Sequence, residues 1–322
     1  MPDKKIIQIK NLKKYYPLPR KEIFQKPVYL KAVNDISFEI YEGETFGLVG
    51  ESGCGKSTTG HLLIRLLEST DGRILFEEED ITHAKGSQLI NLRKKMQIIF
   101  QDPYGSLNPR KKIGWILEEP LRVNQIGTPK ERKEKIIEML PLIGFDKTFL
   151  QRYSHELSGG QRQRVGILNA LMLNPKFIVA DEAVSALDVS VQSQILNLMK
   201  KLQHSFGLTY LFISHDLNVV HYMSDRIGVM YLGKIVETAD VHDLYSNPLH
   251  PYTRSLLASI PEIHNTQKRE KIILKGDIPN PSSLPPGCPF YTRCPDAMNQ
   301  CKEIPPKTTH QGARHYVSCH LY

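Results

Sequence analysis

Gly50-Glu51-Ser52-Gly53-Cys54-Gly55-Lys56-Ser57 fits the pattern GxxxxGK[ST] at every defined position. An apolar stretch, TFGLV (45–49), precedes it, and a helical pattern, KSTTGHLLIRLL (56–67), opens on it. That strand-loop-helix setting gives the pattern its meaning. Glycines let the backbone wrap an anion without Cβ clashes, so successive N–H groups point at phosphate oxygens. The helix start at Lys56-Ser57-Thr58 adds partial positive charge. Lys56 would neutralise β/γ-phosphate charge, and the Ser57 hydroxyl would ligate Mg²⁺. A second chemical signal is Phe177-Ile178-Val179-Ala180-Asp181-Glu182. An apolar strand ending in carboxylates puts them where open α/β sheets bind ligands. Asp181 suits a metal or metal-water contact, and Glu182 suits activation of an attacking water.

The elements that must hold these groups read as an α/β fold. IIQI (6–9), SFEI (37–40), TFGLV (45–49), MQIIF (96–100), FIVAD (177–181) and TYLFIS (209–214) have strand character. The last three are nearly all apolar, as for strands buried on both faces of a mostly parallel sheet. TPKERKEKIIEMLPLIG (128–144) reads as helix, and residues 102–157 as a helical subdomain. After about residue 257 the composition changes: eight of the 28 residues from Pro279 to Pro306 are proline, which sustains neither helix nor central strand. The expected organisation is a nucleotide cassette over 1–257 and a small irregular extension over 258–322.

At 322 residues, 40% hydrophobic and 24% charged, the chain is too apolar for a disordered one and too long for a single small domain. No apolar run reaches the length of a membrane span, and the N-terminus lacks the apolar core of a secretory signal. The expectation is a soluble, intracellular protein that can still sit on a membrane partner. The net charge of +8 concentrates at the ends: residues 1–35 hold nine Lys/Arg and three acids, whereas 36–257 hold 25 and 26. A neutral body argues against nucleic acid as a partner.

With these motifs in place, the chain resembles the ATP-binding-cassette (ABC) ATPases, a branch of the phosphate-loop NTPases. Leu157-Ser158-Gly159-Gly160-Gln161 resembles the family's signature sequence, just upstream of FIVADE. The resemblance implies N-terminal antiparallel strands, a mostly parallel core sheet and a helical subdomain. It implies that Ser158, Gly159, Gly160 and Gln161 bind the γ-phosphate held by a partner subunit, giving two composite sites in a head-to-tail dimer. Gln101 resembles the lid glutamine sensing Mg²⁺ and the attacking water. Ser185-Ala186-Leu187-Asp188 resembles the loop crossing the dimer interface, and His215 the switch histidine at the γ-phosphate. Tyr16 aligns with the adenine-stacking aromatic, with Tyr15 as its rival. ATP and Mg²⁺ are the implied ligands, the metal held through Ser57, Gln101 and Asp181.

A finer resemblance rests on Gln101-Asp102-Pro103-Tyr104-Gly105-Ser106-Leu107-Asn108-Pro109-Arg110, on Val184 to Gln192, and on His250-Pro251-Tyr252-Thr253. These are similar to the oligopeptide/dipeptide-importer branch, and within it to the second of two paired ATPase subunits. The implied partners are a homologous ATPase subunit, two transmembrane permeases and, through the complex, an extracytoplasmic binding protein. The implied location is the cytoplasmic face of the membrane. Related systems carry oligopeptides, dipeptides, nickel chelates or glutathione. A soluble ATPase of the superfamily acting on ribosomes or DNA is the alternative, weakened by the single cassette and the lack of a long heptad tract. Two positions depart from the pattern: Ala183 stands where proline is usual and Asn169 where arginine is usual.

Four of five cysteines lie in the tail, as Cys288-x5-Cys294-x6-Cys301-x17-Cys319; Cys54 belongs to the phosphate loop. Intracellular thiols seldom form stable disulfides, so the group suggests metal. Zinc modules usually contain a tight CxxC, absent here. Four thiolates on a proline-rich segment suit a [4Fe–4S] cluster, which this subfamily's tail makes plausible. Zinc and free thiols stay open as readings.

Overall fold

The computed structural model describes residues 4–19, 27–260, 279–280 and 282–322. Its strands are β1 (Lys5–Pro17), β2 (Tyr29–Tyr41), β3 (Thr45–Val49), β4 (Asp71–Phe76), β5 (Glu79–Asp80), β6 (Met96–Ile99), β7 (Phe177–Asp181), β8 (Thr209–Ile213), β9 (Arg226–Tyr231), β10 (Lys234–Asp240), β11 (Thr308–His310) and β12 (Tyr316–Ser318). The chain folds as two compact units interleaved in sequence.

One unit holds Tyr41–Glu44 and Ala84–Ile213. In it β6 pairs in parallel with β7, and β7 in parallel with β8. Every residue of β7 and β8 is buried, as their unbroken apolar runs require. MQIIF behaves differently: its strand stops at Ile99, Gln97 and Ile98 are half-buried, and Phe100 is exposed. The expected helix over 128–144 runs only from Pro129 to Met139 and then tightens into a 3₁₀ turn, Leu140–Ile143. Pro141 explains the change, since it cannot supply an α-helical N–H. Thr128 caps the start in a capping box with Glu131. Between residues 103 and 156 the regular elements are helices and 3₁₀ turns.

The other unit holds Lys4–Ile40, Thr45–His83 and Ser214–Tyr322. An antiparallel sheet runs in the order β2-β1-β4-β5. Here β1 and β2 span 13 residues each, far more than the apolar cores IIQI and SFEI. Ladder pairing carries such strands past their hydrophobic centres. β3 pairs in parallel with β9, and β9 antiparallel with β10. The helix after the phosphate loop spans Lys56–Leu63, not 56–67. Arg65 takes a left-handed conformation (φ 56°), and the amides of Leu66 and Leu67 both return to the His61 carbonyl, closing the helix.

The tail belongs to this second unit. It is not wholly irregular: β12 adds to β10 through Glu237↔Val317 and Thr238↔Tyr316, and β11 pairs with β12. Phe290, itself buried, packs edge-on to Tyr231 with ring centroids 5.2 Å apart, and against Tyr252 at 5.4 Å. Glu237, fully buried, accepts the Leu249 and His250 amides (2.8 and 3.0 Å) and a 2.7 Å hydrogen bond from His315. The stretch 261–278, just beyond the cassette boundary expected at 257–258, lies outside the described residues.

Candidate nucleotide site

The phosphate loop starts where β3 ends, and its helix begins at Lys56. Gly55 caps that helix at φ 106°, and a Cβ there would run into the Ala32 carbonyl oxygen. Only glycine meets both demands. Lys56 is buried, and its ammonium lies across the loop on the Gly50 and Glu51 carbonyls (2.8 and 3.1 Å). This places a buried cation within the loop, the charge that an anionic phosphate needs. Ser52 and Gly53 are exposed at the loop tip, while Ser57 and Thr58 are half-buried on the first helical turn. Burial raises the Cys54 thiol despite Lys56 beside it, which disfavours the thiolate form.

Two further contacts hold Glu51, and no local sequence pattern announces either. The Glu51 amide donates to the Tyr252 hydroxyl at 2.9 Å. Arg293 grips the Glu51 carboxylate with both terminal nitrogens, at 2.9 and 3.0 Å. His215 is exposed, next to Asp216, which caps the helix Leu217–Met223. Of the two candidate adenine aromatics, Tyr15 donates its hydroxyl to Asn34 at 2.7 Å. Tyr16 is half-buried with the Lys14 ammonium 5.0 Å from its ring centre.

The carboxylates, the signature and the remaining motif residues lie in the other unit. Asp181 is buried at the end of β7. Glu182 follows in a left-handed conformation (φ 47°), uncommon for a non-glycine residue. Its amide reaches the Ile213 carbonyl at 3.0 Å, and its carboxylate accepts from the Gln101 side chain at 3.0 Å. Observed strain of this kind concentrates at functional positions. Ser158 caps the helix Gly159–Leu171 in a capping box with Gln161. A Cβ on Gly160 would overlap the Val191 side chain, so this glycine lets two helices approach closely. Asp188 caps the helix Val189–Phe206, whose first residue, Val189, is 79% exposed. Ala183 is buried, and the Asn169 side-chain oxygen is buried with no hydrogen-bond partner among the described residues.

In the tail, Cys288 and Cys301 are buried, and Cys294 and Cys319 partly so. Burial raises the thiols of Cys288 and Cys294 to about 11 and pushes the Cys319 thiol up, and the thiols lie near enough to act on one another: Cys288 with Cys301 and Cys319, Cys294 with Cys288 and Cys319. The four therefore share one region. Among the described residues, however, no group of three or more His, Cys, Asp or Glu is disposed as a metal's ligand set. The expected cluster geometry is not formed by these side-chain positions.

A glycine loop centred on a buried lysine, a strand ending in Asp-Glu and a serine-capped glycine helix define a phosphate-binding ATPase cassette. Residues 33–185 match the family described as ABC transporter, and residues 236–301 match the oligopeptide/dipeptide transporter C-terminal region. The chain is 52% identical to the oligopeptide transport ATP-binding protein AppF of Bacillus subtilis (strain 168), over 98% of this chain and 97% of that protein. It is 47% identical to the dipeptide transport ATP-binding protein DppF of Haemophilus influenzae, over 96% and 94%. Among solved structures it is similar to the ATP-binding cassette MJ0796 in a dimeric post-hydrolysis state bound to ADP and Pi. The TM-score is 0.63 and the identity 29%, over 73% of this chain and 98% of that one. The chain belongs to the ATP-binding subunits of the oligopeptide/dipeptide branch of ABC transporters. It is an ABC-type transport ATPase, and a ribosome- or DNA-acting function is not favoured. Among the described residues, no helix is long and apolar enough to cross a membrane.

Proposed function

We propose that this chain hydrolyses ATP to drive peptide import, working at the cytoplasmic face of a membrane with two permease subunits. A homologous ATPase subunit would complete the pair, and an extracytoplasmic binding protein would deliver the peptide. The observation that carries the peptide assignment is that residues 236–301 match the oligopeptide/dipeptide transporter C-terminal region.

In this reading Lys56 and the loop amides hold the phosphates, and Tyr16 stacks on adenine. Ser57, Gln101 and Asp181 offer the hard oxygen donors that Mg²⁺ prefers, and the metal would neutralise charge on the phosphates. Glu182 takes a proton from the attacking water, and Gln101, hydrogen-bonded to it, orients that carboxylate. His215 donates toward charge developing on the γ-phosphate. Ser158, Gly159, Gly160 and Gln161 meet the nucleotide held by the partner subunit, and Asp188 faces the partner across the interface. Closure of that dimer moves the permeases docked on its surface.

The number and thiol chemistry of the four tail cysteines suit a [4Fe–4S] cluster that would staple a segment with little core of its own. Its ligands would be Cys288, Cys294, Cys301 and Cys319, brought closer than they stand without it. Protein purified without oxygen should then be brown and contain iron and acid-labile sulfide; colourless, metal-free protein sinks this part of the reading.

The transport assignment is tested by deleting the gene for this chain and measuring uptake of labelled di- and oligopeptides, nickel and glutathione. Loss of peptide uptake alone is expected. Unchanged peptide uptake together with lost nickel or glutathione uptake overturns it.

A further inference from the structure

All three polar groups of Glu51 are committed to this chain's own residues. Its carbonyl accepts from Lys56 at 3.1 Å, its amide donates to Tyr252 at 2.9 Å, and its carboxylate takes the two-pronged grip of Arg293. The last contact links residues 242 apart in sequence, joining the phosphate loop to the cysteine-bearing tail. It is a sheltered pair: the Arg293 side chain is 8% exposed and that of Glu51 is 24% exposed. Arg293 also reaches the Tyr231 hydroxyl at 3.4 Å, and its guanidinium carbon lies 5.9 Å from that ring's centre. Two parallel hydrogen bonds to a carboxylate suit arginine's planar fork and no other side chain.

A carboxylate inside a phosphate loop is an electrostatic problem. It repels the triphosphate, and it can compete for the ammonium of Lys56 five residues on. An arginine that grips it removes both effects. The paired guanidinium is held even more firmly protonated than usual, chiefly by its hydrogen bonds to Glu51. The aromatic packing of Phe290 on Tyr231 and Tyr252 brings Arg293 to this position and keeps it there.

We propose that Arg293 is a positioning residue for ATP binding: from the tail, it neutralises Glu51 and holds the loop open to phosphate, so the tail forms part of the nucleotide site. The proposal rests on the reading of residues 50–57 as the ATP site.

The test is equilibrium ATP binding by the full-length chain, with thermal melting alongside. Arg293→Gln should weaken ATP by about tenfold (~1.4 kcal/mol), the scale of one uncompensated charge near a polyphosphate. The defect should shrink at high salt, because a repulsion open to solvent is screened. Arg293→Lys, which keeps the charge, should retain most of the affinity. In the Arg293→Gln background, Glu51→Gln should return most of what was lost, because the repelling charge is gone. A purely structural tail contact predicts no such rescue. Arg293→Gln binding within twofold of the parent, or a double variant no tighter than Arg293→Gln alone, overturns the proposal. Lys56→Ala separates the two readings: if it leaves ATP binding intact, the loop assignment itself fails; if it abolishes binding while Arg293→Gln does not weaken it, only the role of Arg293 fails.

Discussion

The side-chain amide of Gln101 donates to the carboxylate of Glu182 across 3.0 Å, joining residues 81 apart in sequence. One stands just past β6 and the other just past β7, strands that pair in parallel, so their ends bring the two groups together. The contact fixes the direction of a carboxylate whose backbone is already constrained by its left-handed conformation. In the proposed function, a base held this way is oriented before any water arrives, which lowers the reorganisation needed during reaction.

Glu182→Gln should keep ATP binding within a few-fold and reduce turnover by about a hundredfold or more, the usual contribution of a positioned general base. Paired measurements of ATP affinity and phosphate release check this. Turnover at the parent rate would remove Glu182 from its role.

Ser158 has two duties that substitutions can separate. Its hydroxyl caps its own helix, and in the proposed function it meets the partner's nucleotide. Ser158→Ala should cost about 1 kcal/mol of stability through the lost cap. Ser158→Asp keeps a good cap but sets a negative charge against phosphate. It should melt near the parent temperature and fail to form the ATP-bound dimer, as read by size-exclusion chromatography with ATP.

Glu237 ties the tail to β10 and to the turn before helix Pro251–Ala258, with a fully buried carboxylate accepting three hydrogen bonds. Glu237→Leu would leave two amides and the His315 ring without their acceptor. About 3–5 kcal/mol of stability should be lost, visible in urea unfolding and as faster proteolysis of the tail.

His250 predicts a pH dependence. Burial holds its imidazole down at about 4 from an ordinary 6.5, with Glu237 opposing the shift and Arg254 reinforcing it. The folded ring stays neutral while the unfolded one takes up a proton below about 6.5, so the unfolded state binds more protons in between. Stability contributed by this residue is complete above 6.5 and falls by about 3 kcal/mol as pH drops to 4. The His250 ring nitrogen Nδ1 accepts the Tyr252 amide at 3.0 Å, a role asparagine can also fill at a helix start. His250→Asn should therefore flatten the stability profile across this range in denaturant titrations.

The chemistry-bearing motifs were legible in the chain because each is local. A glycine loop between strand and helix, or an apolar strand ending in Asp-Glu, carries its own geometric demands, and β3 and β7 begin and end where TFGLV and FIVAD do. Element lengths were less legible. β1 extends to Pro17 through polar residues, paired with β4 as far as Lys13 and flanked by β2 on its other side, and Arg65 ends a helix that periodicity alone would continue to Leu67. β9 and β10 carry no strand signal as clear as that of the apolar runs, yet they hold β3 on one side and the tail on the other.

The amino-acid sequence by itself marked the candidates to cradle a phosphate and the candidate carboxylate to activate water, because backbone freedom and charge belong to short segments. It did not determine what surrounds Glu51. That Tyr252 holds its amide and Arg293 its carboxylate was decided only in the tertiary structure, where Phe290 packs on two tyrosines and the tail strand β12 joins β10. Such contacts depend on burial across hundreds of residues, and no local pattern encodes them.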